Sequence, residues 1–176
     1  MKTYILLALL YFGTTFSQTE TNVFDIARKG TLKEMQDLWN KDKKVVTLLN
    51  SDGYTALTLA IYRNNNQVAK FLIENGADIN GNSKMGTPLM AAIVKGNTEA
   101  AKLLIENKAD VNAADENGTT ALIYASNFKN YDLVSLLVSA GAKTEHKDNR
   151  NNSAIDYAIL TNDDKLLLLL KNMQNK

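Results

Sequence analysis

The stretch Gly76-Ala77-Asp78-Ile79-Asn80 occurs again as Lys108-Ala109-Asp110-Val111-Asn112 and, in altered form, as Gly141-Ala142-Lys143-Thr144-Glu145. A run of apolar residues precedes each copy, and these runs are Phe71-Leu72-Ile73, Leu103-Leu104-Ile105 and Leu136-Leu137-Val138. The same order of an apolar run and a small polar loop therefore repeats along the chain, which indicates one supersecondary unit per period.

Four hydroxyl-bearing residues further upstream fix the register of the repeat. They are Thr55, Thr87, Thr120 and Ser153, and their separations are 32, 33 and 33 residues. An apolar residue lies two positions after each of them, and an alanine follows three positions later, giving the pairs Leu57 and Ala60, Leu89 and Ala92, Leu122 and Ala125, and Ile155 and Ala158. A spacing of three places each pair on one helical face, so the pattern predicts a helix in every repeat.

Proline and glycine mark the ends of the predicted helices. Pro88 lacks an N–H and has a preset φ, which suits the first turn of a helix. Second helices are predicted over 68–73, 100–105 and 133–138. Gly76 and Gly141 suit the left-handed residue that ends a helix, whereas Lys108 at the same position must accept a strained backbone or end its helix differently.

The segment Thr87-Pro88-Leu89, with Ala92, Gly96 and the closing Lys108–Asn112, resembles the ankyrin repeat. The resemblance covers 51 to about 172 and implies an all-α fold, an ankyrin repeat solenoid of about five helix-turn-helix units joined by short β-hairpin-like loops. Two residues stand where the family's turn glycine usually lies, and they are Met85 and Asn151. Four others replace its usual histidine, and they are Thr58, Met90, Ile123 and Asp156.

The domain boundaries follow from this register. The predicted segments are a signal peptide at 1–17, a linker at 18–22, an ankyrin repeat domain at 23–172 and a tail at 173–176. The repeats within the domain are 23–50 (N-terminal cap), 51–82, 83–114, 115–147 and 148–172 (C-terminal cap). An irregular or partly helical link is expected over 45–49.

The N-terminus has the pattern of a secretory signal peptide. Lys2 precedes a short apolar stretch, and the small residues Thr15 and Ser17 lie before a plausible cleavage site at Gln18. The alternative is an uncleaved membrane anchor. Cleavage predicts an exported protein, periplasmic or secreted, without membrane insertion, and the abundance of asparagine and lysine favours a bacterial source. The chain has no cysteine, so no disulfide stabilises it.

Composition and motifs argue against catalysis and against nucleic-acid binding. The 20 basic and 19 acidic residues are interspersed, without the basic stripe that nucleic acid requires. The single histidine, His146, has no cysteine to join it as a metal ligand and is expected to be an exposed polar residue. No glycine-rich phosphate loop is present. The sequence therefore predicts no enzyme activity, no cofactor and no metal.

Leucines fill the last predicted helix, from Leu166 to Leu170. Leu168 aligns with polar residues of earlier repeats, namely Lys70, Lys102 and Ser135, and is expected to face solvent. A single exposed leucine on a capping helix needs no further explanation. The alternative is a contact surface for a partner or a second copy at this end of the array, although a monomer is expected.

The resemblance implies that a protein partner is bound by the concave face of the stack, at the hairpin tips and at the exposed start and end of the first helix of each repeat. The matching positions are Ser51, Asp52, Tyr54, Tyr62, Arg63, Ser83, Lys84, Val94, Lys95, Glu116, Asn117, Thr119, Asn127, Phe128, Asn149 and Arg150. Tyr54, Tyr62, Arg63 and Phe128 are the preferred anchors, because aromatic and arginine side chains dominate interface energetics. Alternatively, Tyr62 or Phe128 folds over a neighbouring repeat and belongs to the core.

Two functions fit such a surface. The first is a non-enzymatic module that binds one unidentified protein partner. The second is an immunity or protective protein that occludes a toxin or shields an envelope enzyme such as a catalase, as some exported bacterial ankyrin proteins are thought to do. Both functions use the same residues.

Overall fold

The computed structural model describes residues 23–84 and 86–174, which form short α-helices joined by turns. The chain divides into two compact units, Met1–Ala77 and Asp78–Lys176. The helices of the first unit are α1 (23–29), α2 (Leu32–Lys41), α3 (Ala56–Tyr62) and α4 (Asn66–Glu74). Those of the second are α5 (Pro88–Val94), α6 (Thr98–Glu106), α7 (Ala121–Asn127), α8 (Tyr131–Ser139), α9 (Ala154–Leu160) and α10 (Asp164–Gln174).

Two helices of the first unit pack on α4. α3 forms a pair with α4, and α2 lies against α4 through an edge-on contact between Trp39 and Phe71, whose ring centroids are 5.6 Å apart. The Asn65 side chain donates to the carbonyl of Gly30 at 2.9 Å, so the loop between α3 and α4 caps the end of α1. The expected irregular link is a 3₁₀-helix, Lys43–Thr47.

The second unit consists of three stacked helix pairs. α5 pairs with α6, α7 with α8 and α9 with α10, while α7 lies between α5 and α9, and α8 lies between α6 and α10. The residues Leu104, Leu137 and Leu170 occupy one repeat position and are fully buried. Burial of this apolar face by neighbouring pairs is what stabilises a repeat array, because one pair alone leaves the face in water. The predicted all-α fold is confirmed.

Local hydrogen bonds explain why a hydroxyl-bearing residue recurs before the first helix of each repeat. Thr87, Thr120 and Ser153 precede α5, α7 and α9, and the hydroxyl of each accepts from the backbone N–H three residues later, at 3.3, 3.4 and 3.1 Å. Asp156 completes the cap of α9, since its carboxylate accepts from the N–H of Ser153 at 2.9 Å. Each of these hydroxyl groups accepts from a backbone N–H of the first helical turn that would otherwise have no hydrogen-bond partner.

One turn differs from the sequence-based assignment. Met85 lies outside the described residues, and Gly86, with φ 74°, takes the position of the turn glycine. The N–H of Gly86 donates to the carbonyl of Ser83 at 2.8 Å, just as the N–H of Gly118 donates to that of Asp115 at 2.9 Å. Gly86 lies one residue before Thr87, whereas Gly118 lies two residues before Thr120. Aligning the repeats on their threonines therefore placed the turn glycine one residue too early, at Met85.

Lys108 accepts the strained backbone that its position demands. Its φ is 69°, close to the 86° and 90° of Gly76 and Gly141. The three helix ends therefore share one geometry, whether or not glycine is present.

The exposure of the leucine-rich helix α10 agrees with the sequence pattern. Leu166 and Leu170 are buried, whereas Leu168 is 61% exposed. The predicted signal peptide (1–17) and linker (18–22) lie outside the described residues. Among the helices that the structure does describe, none combines the length and apolarity that a membrane span requires.

Candidate functional site

All sixteen predicted surface residues are accessible to solvent. In the first compact unit Ser51, Asp52 and Arg63 are exposed, while Tyr54 and Tyr62 are half-buried. In the second unit Ser83 and Thr119 are half-buried, and the exposed positions are Lys84, Val94, Lys95, Glu116, Asn117, Asn127, Phe128, Asn149 and Arg150. Each compact unit thus carries its own share of the candidate surface.

Five of these residues come together in the second unit around a cleft of about 290 Å³. Its lining is Asn117, Thr119, Tyr124, Asn127, Asp148, Asn149, Arg150 and Tyr157. The cleft lies between the hairpins 115–119 and 148–152 and is bordered by α7 and α9. Sequence reasoning missed Tyr124, Asp148 and Tyr157, which form its walls.

An aspartate organises each of the two hairpins. One oxygen of Asp115 accepts from the N–H groups of Asn117 and Thr119 at 2.8 and 2.9 Å. The corresponding oxygen of Asp148 accepts from Arg150 and Asn152 at 2.9 and 3.0 Å. Such bonds between a side chain and its own turn fix the hairpin backbone.

A tyrosine from the following helix occupies the second oxygen of each aspartate. The hydroxyl of Tyr124 donates to Asp115 at 2.7 Å, and that of Tyr157 donates to Asp148 at 2.6 Å. The burial of Tyr124, its hydrogen bond to Asp115 and the negative charge of Asp115 raise the pKa of Tyr124 to about 12. In both pairs the tyrosine lies nine residues after the aspartate. This repeated spacing is the sequence signal that could have identified the two pairs.

Backbone contacts join the two hairpins. The N–H of Asn149 donates to the carbonyl of Asn117 at 2.9 Å, and its side-chain amide donates to the carbonyl of Glu116 at 3.1 Å. Gly118 allows this approach, because a Cβ there would lie 2.8 Å from Asn149 Oδ1 and because its φ is 70°. The floor of the cleft is therefore a rigid pair of loops.

Exposed apolar side chains occur at the C-terminal ends of α7 and α9. Phe128 is 55% exposed and stacks on Tyr124 with 6.4 Å between ring centroids and 13° between ring planes. Leu160 is 64% exposed and holds in α9 the position that Asn127 holds in α7. Phe128 is not a core residue, which removes one alternative, whereas Leu160 was missing from the predicted surface.

His146 is not the exposed residue that the sequence suggested. It is half-buried, and its Nε2 donates to the carbonyl of Gly118 at 3.0 Å, since a carbonyl can only accept. The contact ties the end of repeat 115–147 to its own hairpin. Within residues 23–84 and 86–174 no group of three or more histidine, cysteine or acidic side chains is placed to hold a metal ion.

Comparison with known families agrees with this architecture. The profile of the family described as ankyrin repeats (3 copies) matches residues 23–115 and 109–176. The chain belongs to the ankyrin repeat family. Repeats of this family are generally modules for protein–protein interaction. No curated protein matches the chain.

Proposed function

We propose that the protein is an exported, non-enzymatic module that binds a protein partner through its hairpin tips and the adjacent ends of α3, α5, α7 and α9. The family supports binding of a protein in general, and the solvent accessibility of the predicted residues within each compact unit supports these positions in particular. The single observation that carries the proposal is the exposed ring of Phe128, which stacks on the half-buried Tyr124 beside a polar cleft.

Phe128 has the properties of an interface anchor. More than half of its surface is exposed, although burying an aromatic ring is favourable by about 1.5–3 kcal/mol. Its stacking on Tyr124 already fixes the ring, so a partner would meet a preorganised apolar surface at small entropic cost. Polar groups surround the pair, which is the usual arrangement of a binding hot spot and its rim.

Affinity capture from an extract of the source cells tests the proposal. Phe128→Ala and Tyr62→Ala should each reduce capture of the partner and leave the thermal midpoint almost unchanged. Leu168→Ala is the matched control, because Leu168 is equally exposed but lies on α10. A large fall of the midpoint in Phe128→Ala would place the ring in the core, and equal capture by all variants would contradict the proposed face.

Leu168→Lys addresses the alternative contact surface at the end of the array. If capture and sedimentation behaviour remain those of the wild-type protein, Leu168 is a solitary exposed leucine. Loss of binding in this variant but not in Phe128→Ala would move the interface to α10.

The identity of the captured partner separates the two functions. A toxin, or an envelope enzyme such as a catalase, would favour the immunity or protective role, and its activity or its heat inactivation should then change when the purified protein is added. Export is tested separately by the mass of the protein recovered from outside the cytoplasm, which cleavage before Gln18 fixes. Retention of the full mass in the membrane fraction would favour the uncleaved anchor.

A further inference from the structure

We propose that two copies of the chain associate through the outer surface of the last helix pair, α9 and α10, about a two-fold axis. This surface, the end face, consists of Ile155 and Ile159 of α9 and of Asp164, Leu167 and Lys171 of α10. None of these five residues is among the sixteen predicted partner-binding positions. The inference is therefore independent of the proposed function.

The end face is the surface on which a further helix pair would stack. Ile93 of α5 and Ser126 of α7 hold the position of Ile159, and they are 1% and 2% exposed. Each of them lies in a repeat that is covered by the next one, since α7 packs on α5 and α9 packs on α7. No helix pair follows α9 and α10 in the described part of the chain, and Ile159 is 54% exposed.

Two more apolar positions lose cover in the same way. Ile155 and Leu167 are only half-buried. Their counterparts in the two preceding repeats are fully buried, and they are Leu89 and Leu122 for Ile155, and Ala101 and Val134 for Leu167. The end face therefore continues the apolar interface that joins successive repeats, and its burial by a second copy is favourable for the same reason.

The charges of α10 determine how a second copy fits. Asp164 and Lys171 are exposed, and Leu167 lies three residues after the first and four residues before the second, so the three share one face of the helix. Two α10 helices that cross antiparallel at Leu167 place Asp164 of each copy opposite Lys171 of the other. A parallel arrangement would place like charges opposite each other, which is unfavourable. The end face is thus complementary to itself.

The other acid beside the end face is already bonded within its own chain. Asp156 holds the position of the buried Met90 and Ile123 and is half-buried. Its carboxylate accepts from the N–H of Ser153 at 2.9 Å and lies 3.8 Å from Lys147 Nζ. Its charge is therefore balanced without a contribution from a second copy.

The first helix pair offers no apolar counterpart to the end face. Within the described residues of α1 and α2, every exposed side chain is polar or charged, and these are Lys29, Lys33, Glu34, Asp37, Asn40 and Lys41. An open head-to-tail chain would need such a counterpart. A two-fold pair uses the same face twice and closes after two copies.

Sedimentation velocity of the protein purified from the cells that express it tests the association. Over about 1 µM to 1 mM, a range that includes weak complexes, the mass should rise from that of one chain to that of two. Ile159→Asp should keep the mass of one chain throughout, because it places two carboxylates in the centre of the contact. Leu168→Asp is the matched control with an equally exposed leucine, and it should associate like wild type. Leu168 lies outside the end face, since its counterpart Lys102 is exposed although α8 packs on α6.

A charge exchange tests the arrangement of the two copies. Asp164→Lys and Lys171→Asp should each weaken self-association by about tenfold, since each variant replaces two opposite-charge pairs by like-charge pairs. An equimolar mixture of the two variants should associate like wild type, because every lysine then faces an aspartate of the other copy. An effect confined to one chain cannot produce this recovery on mixing.

Three results would overturn the proposal. The first is a wild-type protein that keeps the mass of one chain up to about 1 mM, which is the monomer expected from the sequence. The second is self-association that Ile159→Asp leaves unchanged, and the third is a mixture of the charge variants that associates no better than its components. Loss of a captured protein in Ile159→Asp, while the wild-type chain stays monomeric, would assign the end face to a different protein.

Discussion

Lys129 Nζ lies 3.3 Å from Asp163 Oδ2, across the junction between repeat 115–147 and repeat 148–172. The equivalent residues one repeat earlier, Gly96 and Asn130, are also neighbours, because a Cβ on Gly96 would lie 3.9 Å from Asn130 Nδ2. Both members of the pair therefore differ together, from glycine and asparagine to lysine and aspartate. Lys129 keeps the left-handed backbone of the glycine, with φ 52°.

We predict that these two replacements are energetically coupled. Lys129→Gly relieves backbone strain but leaves the buried carboxylate of Asp163 without its cation, and Asp163→Asn leaves the strain of Lys129 without the ion pair. The double variant restores the glycine and asparagine of the preceding repeat. Its free energy of unfolding should therefore be higher than the sum of the two single-variant changes predicts. Urea denaturation of the four proteins measures the coupling.

The exposed pair Lys33–Asp37, with an Nζ to Oδ1 distance of 2.7 Å, provides the comparison. Replacing both of its members by alanine should show a coupling of about 0.5 kcal/mol or less. Strictly additive effects at Lys129 and Asp163 would show that the proximity of the two residues has no energetic consequence.

Asp163 should also contribute to the loss of stability in acid. The N–H of Leu166 holds its pKa below the ordinary value of an aspartate, against the effect of burial, and Lys129 and Tyr131 lower it further. The folded protein therefore binds a proton less readily than the unfolded chain. The stabilisation is complete above the unfolded pKa and is lost as the pH falls through the folded pKa.

Asp163→Asn should consequently flatten the fall of the unfolding free energy below about pH 4. Asp148 and Asp156, whose pKa values are also lowered, maintain part of the slope in this variant. Denaturant titrations at several pH values measure the difference, and Asp164→Asn, which changes an exposed neighbour, is the control. An identical slope in wild type and Asp163→Asn would contradict the assignment.

Lys108→Gly should stabilise the second compact unit. A left-handed backbone costs a residue with a Cβ about 1–2 kcal/mol, and the added freedom of glycine in the unfolded chain offsets about 0.5–1 kcal/mol, so a net gain of about 0.5–1 kcal/mol remains. Lys102→Gly makes the same change at an exposed position inside α6 and should cost about 0.5–1 kcal/mol. Opposite signs in chemical denaturation are the expected result, and destabilisation by both variants would contradict it.

The sequence predicted the helices well because their ends depend on contacts within a few residues. Thr87 and Ser153 cap helices through N–H groups three positions away, and Gly76 and Gly141 end them by their own backbone preference. A repeat of such local signals is visible in one chain. The turn at Gly86 was missed because the spacing of 32 residues between Thr55 and Thr87 shows that this repeat is one residue shorter, but not at which position.

The cleft was predicted only in part, since its walls depend on contacts between repeats. Asn149 and Asn117 meet through backbone atoms 32 positions apart, which no side-chain pattern encodes. The bond from Tyr157 to Asp148 turns an acid that the sequence presents as a surface charge into a structural acceptor.

Thr144 is the position at which a repeat residue conflicts most directly with its surroundings. It corresponds to Ile79 and Val111 in the earlier copies of the loop, and it is 4% exposed. Its hydroxyl has no hydrogen-bond partner within the described residues. A buried hydroxyl without a partner loses its hydrogen bonds to water on folding, which costs about 1–3 kcal/mol.

Thr144→Val retains the shape of the side chain and removes the unpaired hydroxyl, so it should raise the unfolding free energy by about 1 kcal/mol. Thr87→Val is the matched control, because the hydroxyl of that buried residue caps α5 by accepting from the N–H of Met90 at 3.3 Å. Loss of this cap should cost about 1–2 kcal/mol. The same chemical change is therefore expected to act in opposite directions at two buried threonines, and urea denaturation resolves the sign. A destabilised Thr144→Val would mean that the hydroxyl finds a partner, such as an ordered water molecule, in solution.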